Sequence, residues 1–496
     1  MKLFNFFILC FPSLLLGQWV FQPTPSDVDM LLSVSFINAN TGVAGGWKSN
    51  FGGKAIFTTN SGENWQLTRV PDSARSLVNV QMLSASTGYI AGAYNYFKDC
   101  RIRRKQKTNF YMNNQERIGQ DGISESYKGL FLRTTDGGQT WNTYGNLPVN
   151  VYYLHGMKFI NNLTGFVACS FNYSGGIDDG ILRTTTGGLS WSVILNMDSV
   201  SLDDVFTTDG NNIYVCGQAR SSSAFDLYGI IVQTTDGGMN WTRQNFINVA
   251  YFKDIFFVNV STGFSAGGSQ GDLVMNDTIP HGVIYKTTNS GSNWFRLPVQ
   301  IDSTFYYAIN LTGSTGIAVG GKFSISDTKI FISRTTNYGI SWSHYLGSDD
   351  NFLVSLSMPD LNIWFVCGGI GDKLIYKTTT GGAIGIKTIS NQVPDEFALY
   401  QNYPNPFNPV TKIKFALPAL PLRQAGLPPS PQGEGLGVRV IIYDILGREI
   451  TTLVNEQLQP GTYEVEFDGT NYSSGVYFYT LITEYFNQTK RMMLIK

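Results

Sequence analysis

The stretch Thr134-Thr135-Asp136-Gly137-Gly138-Gln139-Thr140-Trp141 recurs along the chain. Thr58–Trp65 reads TTNSGENW, Thr184–Trp191 TTTGGLSW and Thr234–Trp241 TTDGGMNW. Thr287–Trp294 reads TTNSGSNW and Thr335–Trp342 TTNYGISW, while a seventh copy, Thr378–Gly385, reads TTTGGAIG and lacks the Trp. Each copy has the chemistry of a tight turn. An Asp or Asn side chain can bond the backbone two residues on, and Gly accepts the positive φ that other residues resist. Thr suits strand ends, and Trp is large enough to pin the next strand. A period near 50 residues indicates a propeller or solenoid.

A second set of seven runs in phase with the first. Strands beginning TGVAGG at Thr41, TGYIAG at Thr87, TGFVAC at Thr164 and NNIYVC at Asn211 precede the boxes, followed by TGFSAG at Thr262, TGIAVG at Thr315 and NIWFVC at Asn362. Upstream of most lies an alternating run such as Val34–Ile37 or Asp254–Phe257, which reads as a strand. Each repeat thus has four strands: the alternating run (A), the Thr-Gly strand (B), the run into the box (C) and a strand opening at Trp (D). Four strands in about 45–50 residues make one propeller blade. The fold expected is all-β, a seven-bladed β-propeller followed by a small Ig-like β-sandwich. Blades are read at 31–70, 77–146, 151–196, 201–246, 250–299, 304–347, and 352–384 with 18–23. In that last assignment Trp19–Gln22 supplies the missing strand D, so that the two chain ends close the ring and leave no open edge.

The boxes resemble the Asp-box, or BNR repeat, of sialidases and related propellers. Asn60, Trp65, Asp136, Trp141, Trp191, Asp236, Trp241, Asn289, Trp294, Asn337 and Trp342 are expected to hold turns and do no chemistry. Box, Thr-Gly strand and period together resemble the photosystem II assembly and stability factor family, whose function is not carried over, since fold does not fix function. Phe295-Arg296-Leu297-Pro298 resembles the Phe-Arg-Ile-Pro motif of sialidases, but it also falls in phase with Thr68–Pro71 as a strand D feature. The sialidase arginine triad, acid and Tyr–Glu pair match no positions here.

Met1 to Gly17 reads as a secretion signal: Lys2, then an apolar run to Leu16, too short to span a bilayer. No later stretch reads as a transmembrane segment. The mature chain is expected to comprise a propeller at 18–385, a linker at 386–396 and a terminal domain at 397–496, with a Pro- and Gly-rich insertion at 419–436. The formal net charge is −1 and only 14% of residues are charged. That gives no basic face for a nucleic acid.

The terminal domain carries LYQNYPNPFNP (399–409), VRVIIYD (438–444) before Leu446-Gly447-Arg448, alternation at Tyr463–Phe467, GVYFY (475–479) and TKRMMLIK (489–496). These read as a small antiparallel sandwich. They resemble, over the domain's full length, the type A C-terminal sorting domain of the type IX secretion system. The resemblance implies periplasmic transit, export across the outer membrane, contact with the type IX machinery, and release or attachment at the cell surface.

Loop lengths vary most in the B–C turns, the layout of a binding face on a rigid scaffold. Candidate ligand contacts are Tyr94, Tyr96, Phe171, Tyr173, Asp178, Asp179, Phe225, Asp226, Tyr228 and Asp272. The longest turn bears a basic cluster between Lys98 and Lys107. Cys169, Cys216 and Cys367 are read as buried free thiols sharing one strand B position that is Gly46, Gly92, Gly267 and Gly320 elsewhere. The three His residues fall at unrelated repeat positions, and no metal spacing or cofactor motif appears. The function expected is a secreted or surface-attached, monomeric, non-enzymatic binding propeller with a glycan or protein ligand. The alternative is a sialidase-like or xyloglucanase-like glycoside hydrolase, which needs two carboxylates roughly 5–9.5 Å apart across a cleft, or a Tyr nucleophile among arginines.

Overall fold

A computed structural model describes residues 19–49, 52–94, 128–173, 176–220, 227–269, 280–299, 301–324, 327–360, 362–379, 381–382, 386–390, 392–419, 436–469 and 472–496. The leader, the basic cluster and the insertion core at 420–435 lie outside these residues. The described secondary structure is all strand, in two compact units.

The larger unit contains seven four-stranded antiparallel sheets, each in simple A-B-C-D order. Blade 1 is Met30–Phe36, Gly42–Lys48, Gly52–Thr58 and Gln66–Leu67; blade 3, the most regular, is Val151–Phe159, Gly165–Tyr173, Gly176–Thr184 and Ser192–Met197. The inner strands of blades 2, 4, 5 and 6 are Ala74–Met82, Val200–Thr207, Tyr251–Phe257 and Thr304–Thr312. Blade 7 is built from Ser355–Ser357, Trp364–Cys367 and Ile375–Thr378, and the N-terminal strand Val20–Gln22 lies beside Ile375–Thr378 as its fourth member. Each inner strand neighbours the next, and that of blade 7 neighbours that of blade 1, so the ring is closed.

The box is the joint between blades. In Thr134–Trp141, Thr134 Oγ1 donates to Asp136 Oδ1 (2.7 Å) and accepts from Gly138 N (2.9 Å). Asp136 Oδ1 also accepts from Thr140 N (3.0 Å), and Trp141 Nε1 donates to Gly138 O (3.1 Å). The fourth residue of every copy, from Ser61 to Gly381, donates its N–H to the A–B turn of its own blade. The fourth and fifth residues both take positive φ in all seven copies, including Ser61, Ser290 and Tyr338, where an L side chain is disfavoured. A Cβ on the fifth residue would press on the preceding blade: Gly138 on Val43, Gly188 on Phe131, Gly291 on Tyr214. The box therefore abuts a neighbour as closely as Gly permits. Lys377 Nζ of blade 7 reaches Ser61 Oγ of blade 1 (2.6 Å), so the last seam is bridged like the rest.

The cysteines correct one expectation. Cys169, Cys216 and Cys367 are buried free thiols, but they do not share a register. Cys169 pairs with Leu154, the partner position of Gly46 and Gly92, whereas blade 4 places Gly217 there, opposite Leu202. Cys216 faces Asp204 and Cys367 faces Ser355, one residue earlier. A one-residue step along a strand changes the face. The tight position is the Gly one: a Cβ there would lie 1.9 Å from Met30 O at Gly46 and 2.0 Å from Ser201 O at Gly217.

The smaller unit packs two four-stranded sheets around one core. One sheet runs Ile386–Ser390, Gly461–Asp468, Val410–Leu417, Ala398–Leu399, and the other Glu449–Leu458, Leu436–Tyr443, Gly475–Thr483, Asn487–Leu494. Ile413, Phe415 and Val465 from the first meet Val440, Ile442, Tyr479 and Leu481 from the second. The segment read as a linker contributes a strand, because Ile386–Ser390 pairs along Thr462–Val465. The sequence run there, IKTIS, alternates too briefly to be distinguished from a tether.

Candidate functional site

The inner strand of a blade has one edge that its own sheet leaves unpaired. Unpaired backbone N–H groups inside a protein need partners, and here the preceding blade supplies them. Ser33 Oγ accepts from Val80 N and Ser35 Oγ from Met82 N, each at 3.0 Å. Gln81 Oε1 accepts from Phe159 N (2.7 Å), and Asp179 Oδ2 from Leu202 N (2.7 Å). Asp204 Oδ2 accepts from Ile255 N (3.4 Å) and Asp254 Oδ2 from Ile309 N (2.7 Å). Between blades 6 and 7 the bond is backbone to backbone, Leu353 N to Gly320 O (3.1 Å). Ser355 and Ser357 then cap Val34 N and Phe36 N and complete the circuit.

Inner strands of blades 1, 2, 4, 5 and 6 carry a one-residue bulge, at Leu32, Val78, Asp203, Lys253 and Tyr307; in blade 3 the ladder skips His155 and Gly156. A bulge re-aims a side chain away from the sheet. Residues at this position meet across the blades: Leu32 of blade 1 and Tyr307 of blade 6 join one apolar cluster with Val354 from blade 7 between them, while Asp203 Oδ1 and Lys253 Nζ of the adjacent blades 4 and 5 pair at 2.7 Å. Three consecutive blades thus place His155, Asp203 and Lys253 where the other four place Leu32, Val78, Tyr307 and Val354.

Burial governs the chemistry of this polar sector. His155 Nε2 bonds Ser170 Oγ (2.9 Å) and lies 4.0 Å from Asp179 Oδ2. Burial, and then the Lys253 charge, push the imidazole down to about 3, so it is neutral at ordinary pH. Burial pushes the Asp179 carboxyl up to about 7 against the hydrogen bonds from Ser170 and Leu202 N. Burial also raises Asp203, while Lys253 opposes the rise. Burial, and then the neighbouring charge of Asp254, raise the Asp204 carboxyl well above the carboxylate range. Asp179, Asp204 and Asp254 cap backbone amides of the next blade, and Asp203 pairs with Lys253.

The candidates read from sequence divide three ways. Tyr94, Asp178 and Tyr228 lie toward the B–C turn ends of blades 2, 3 and 4, and all are partly exposed. Tyr228 OH accepts from Arg243 Nη2 (2.9 Å) and its ring lies under that guanidinium. Phe171 and Asp179 are buried, at 1% and 2% exposure, so neither presents a surface to a ligand. Phe171 belongs to the core of blade 3, and Asp179 is turned inward by its bond to Leu202 N. Tyr173 closes strand B of blade 3. Tyr96, Phe225, Asp226 and Asp272 lie outside the described residues. Among the described residues no His, Cys, Asp or Glu cluster could hold a metal ion. Sequence reading passed over Asp203, Asp204 and Asp254, although the signal was present: Leu202-Asp203-Asp204-Val205 and Phe252-Lys253-Asp254-Ile255 put charges inside runs whose repeat phase marks them as inner strands.

The model of the secretion system C-terminal sorting domain matches residues 401–496. The C-terminal part of the chain is therefore a type IX sorting domain, and the protein is exported. No helix among the described residues is long and apolar enough to cross a membrane. A search of curated proteins gave no match. Among solved structures, a polysaccharide lyase of family PL25, an ulvan lyase bound to -[GlcA(1-4)Rha3S]-, is similar at 9% identity, covering 74% of this chain and 96% of that one, with a TM-score of 0.42. The GH74 enzyme of Niastella koreensis is similar at 12% identity over 88% and 83%, with a TM-score of 0.26. A mutant NanB sialidase of Streptococcus pneumoniae is similar at 12% over 74% and 71%, with a TM-score of 0.32. The fold assignment rests on strand order and ring closure, not on these likenesses.

Proposed function

We propose that this chain is a non-enzymatic binding propeller, carried out of the cell by its sorting domain and then released or held at the outer-membrane surface. Its ligand is a glycan or a protein. One observation carries the reading: the acids gathered at the ring's interior, Asp179, Asp204 and Asp254, are engaged in capping the inner strands of the next blade. An acid so engaged holds the scaffold and is not free to work on a glycosidic oxygen. The proposed ligand surface is the B–C turn face, with Tyr94, Asp178 and Tyr228 as its partly exposed members; Tyr96, Phe225, Asp226 and Asp272 remain candidates by sequence alone. The hydrogen-bonded boxes support the Asp-box reading and, with the Thr-Gly strands, the likeness to photosystem II assembly factor repeats.

Binding of the full chain to an immobilised panel of acidic and neutral polysaccharides and of extracellular protein extracts tests the proposal. Saturable binding that weakens in Tyr228→Ala and Asp178→Ala supports it. Binding unaffected by either change places the ligand on another face.

A further inference from the structure

We propose that the axis of the ring, where it opens on the B–C turn face, binds the terminal unit of an uncharged glycan through Lys253 and Tyr307. This names the ligand class for the binding propeller proposed above and rests on that reading. A propeller's inner strands enclose a central channel. The bulge residues Leu32, Val78, Asp203, Lys253 and Tyr307, together with Val354 of blade 7, are partly exposed. The residue before each, from Leu31 to Leu353, is exposed by 1% or less. Both faces of a blade pack on its neighbours, and a bulge turns its side chain off the sheet. The exposure of these six side chains is therefore toward the axis.

The wall they form has two chemistries. Leu32, Tyr307 and Val354 form an apolar arc with Phe323, packed on Met30 and Phe352. The arc lies toward the B–C turns, where strand A begins and strand B ends: Met30 faces Trp47, and Phe323 closes strand B of blade 6. The Phe352 ring lies 6.0 Å from that of Tyr307 and steadies it. Beside the arc, Lys253 Nζ pairs with Asp203 Oδ1 at 2.7 Å and lies 5.1 Å from the centre of the Tyr251 ring. An ammonium has three N–H groups, so this pair leaves donors for a ligand oxygen, and the Lys253 side chain is 28% exposed. Among the described residues no group hydrogen-bonds the Tyr307 hydroxyl. Adjacent blades 5 and 6 thus offer a spare N–H and a spare O–H next to an apolar surface, the make-up of a ligand site.

That combination fits a pyranose, which carries hydroxyls at its rim and C–H bonds on its faces. Its oxygens accept from Lys253 Nζ and the Tyr307 hydroxyl, and a C–H face lies on Tyr307, Leu32 and Val354. The unit is uncharged, because Asp203 already cancels Lys253. A uronate or sulfate brought to the pair would leave one charge uncompensated in a poorly solvated place. Inner strands surround the passage on every side, so a glycan enters it by an end, and the unit held is a terminal one.

Calorimetric titration of the full chain with neutral oligosaccharides, their uronic and sulfated counterparts, and the free monosaccharides of their terminal units tests this. Neutral oligosaccharides should bind, and the terminal monosaccharide should compete with them. Tyr307→Phe should weaken both by about fivefold, the worth of one neutral hydrogen bond. That change removes only a hydroxyl with no protein partner, so it decides even if other variants do not fold. Asp203→Leu combined with Lys253→Met removes both charges together, leaving neither unpaired, and should abolish binding. Binding confined to acidic glycans would overturn the axial site. Neutral binding that Tyr307→Phe leaves unchanged would overturn it too, and weakening by Tyr228→Ala would then still uphold the turn face as the ligand surface. No binding to any glycan would overturn the axial site while leaving a protein as the propeller's ligand.

Discussion

Replacing Asp179 with Asn should remove a large pH dependence from the stability of the propeller. The side chain is 3% exposed and wedged between His155, Ser170 and the Leu202 amide. Its carboxyl is pushed from 3.8 up to about 7, mainly by burial. The native state thus binds a proton that the unfolded chain has already lost, so this contribution to stability is fully present below about pH 4 and is lost as pH rises through 7. A rise of about three units, at about 1.36 kcal/mol each, amounts to about 4 kcal/mol in all and about 3 kcal/mol between pH 5 and pH 8. Asn keeps an oxygen for Leu202 N and cannot ionise. Urea unfolding of both proteins at pH 5 and pH 8 should show the wild type losing about 3 kcal/mol more than Asp179→Asn over that interval. Equal losses would mean that Asp179 titrates as an ordinary surface acid, and that the buried, inward-facing placement is wrong.

Three further outcomes follow from packing. Gly92→Ala and Gly320→Ala put a Cβ at 2.0 Å from Ser76 O and 1.7 Å from Phe305 O; each should cost about 3 kcal/mol in a urea titration, while Gly437→Ala, with nothing within 4 Å, should be nearly neutral. Tyr338→Gly relieves a positive φ of 55° in a box and should raise stability by about 0.5–1 kcal/mol, with a destabilised variant showing that the exposed ring packs on a neighbour. Deleting residues 20–22 strips the outer strand from blade 7 and should lower stability by roughly 3 kcal/mol; an unchanged melting midpoint would refute ring closure by the N-terminal strand.

The repeat made the ring legible. A box whose Thr, Asp and Gly bond one another is a local device, so its eight residues announce it wherever they occur. The closing strand was legible for the same reason: Trp19–Gln22 is the kind of sequence that follows a box, and the last box lacks it. The interior was harder to read. Whether Cys216 or Gly217 meets the inner strand depends on a one-residue register, and periodicity near 50 does not resolve that. Phe171 and Asp179 look like loop residues by position, but strands B and C of blade 3 continue as far as Tyr173 and from Gly176, which carries both positions into the sheet. The inner carboxylates were hidden because their partners are backbone amides of the following blade, about 50 residues away and without any motif.

As proposed above, this exported propeller binds its ligand without turning it over. The direct test is release of reducing ends, or of unsaturated uronic products, when the purified full chain is incubated with a broad panel of polysaccharides that includes those it retains. Binding with no product above the level of a heat-unfolded control is the expected result. Turnover that survives further purification and falls in Asp178→Asn would contradict it and place a working acid on the loop face.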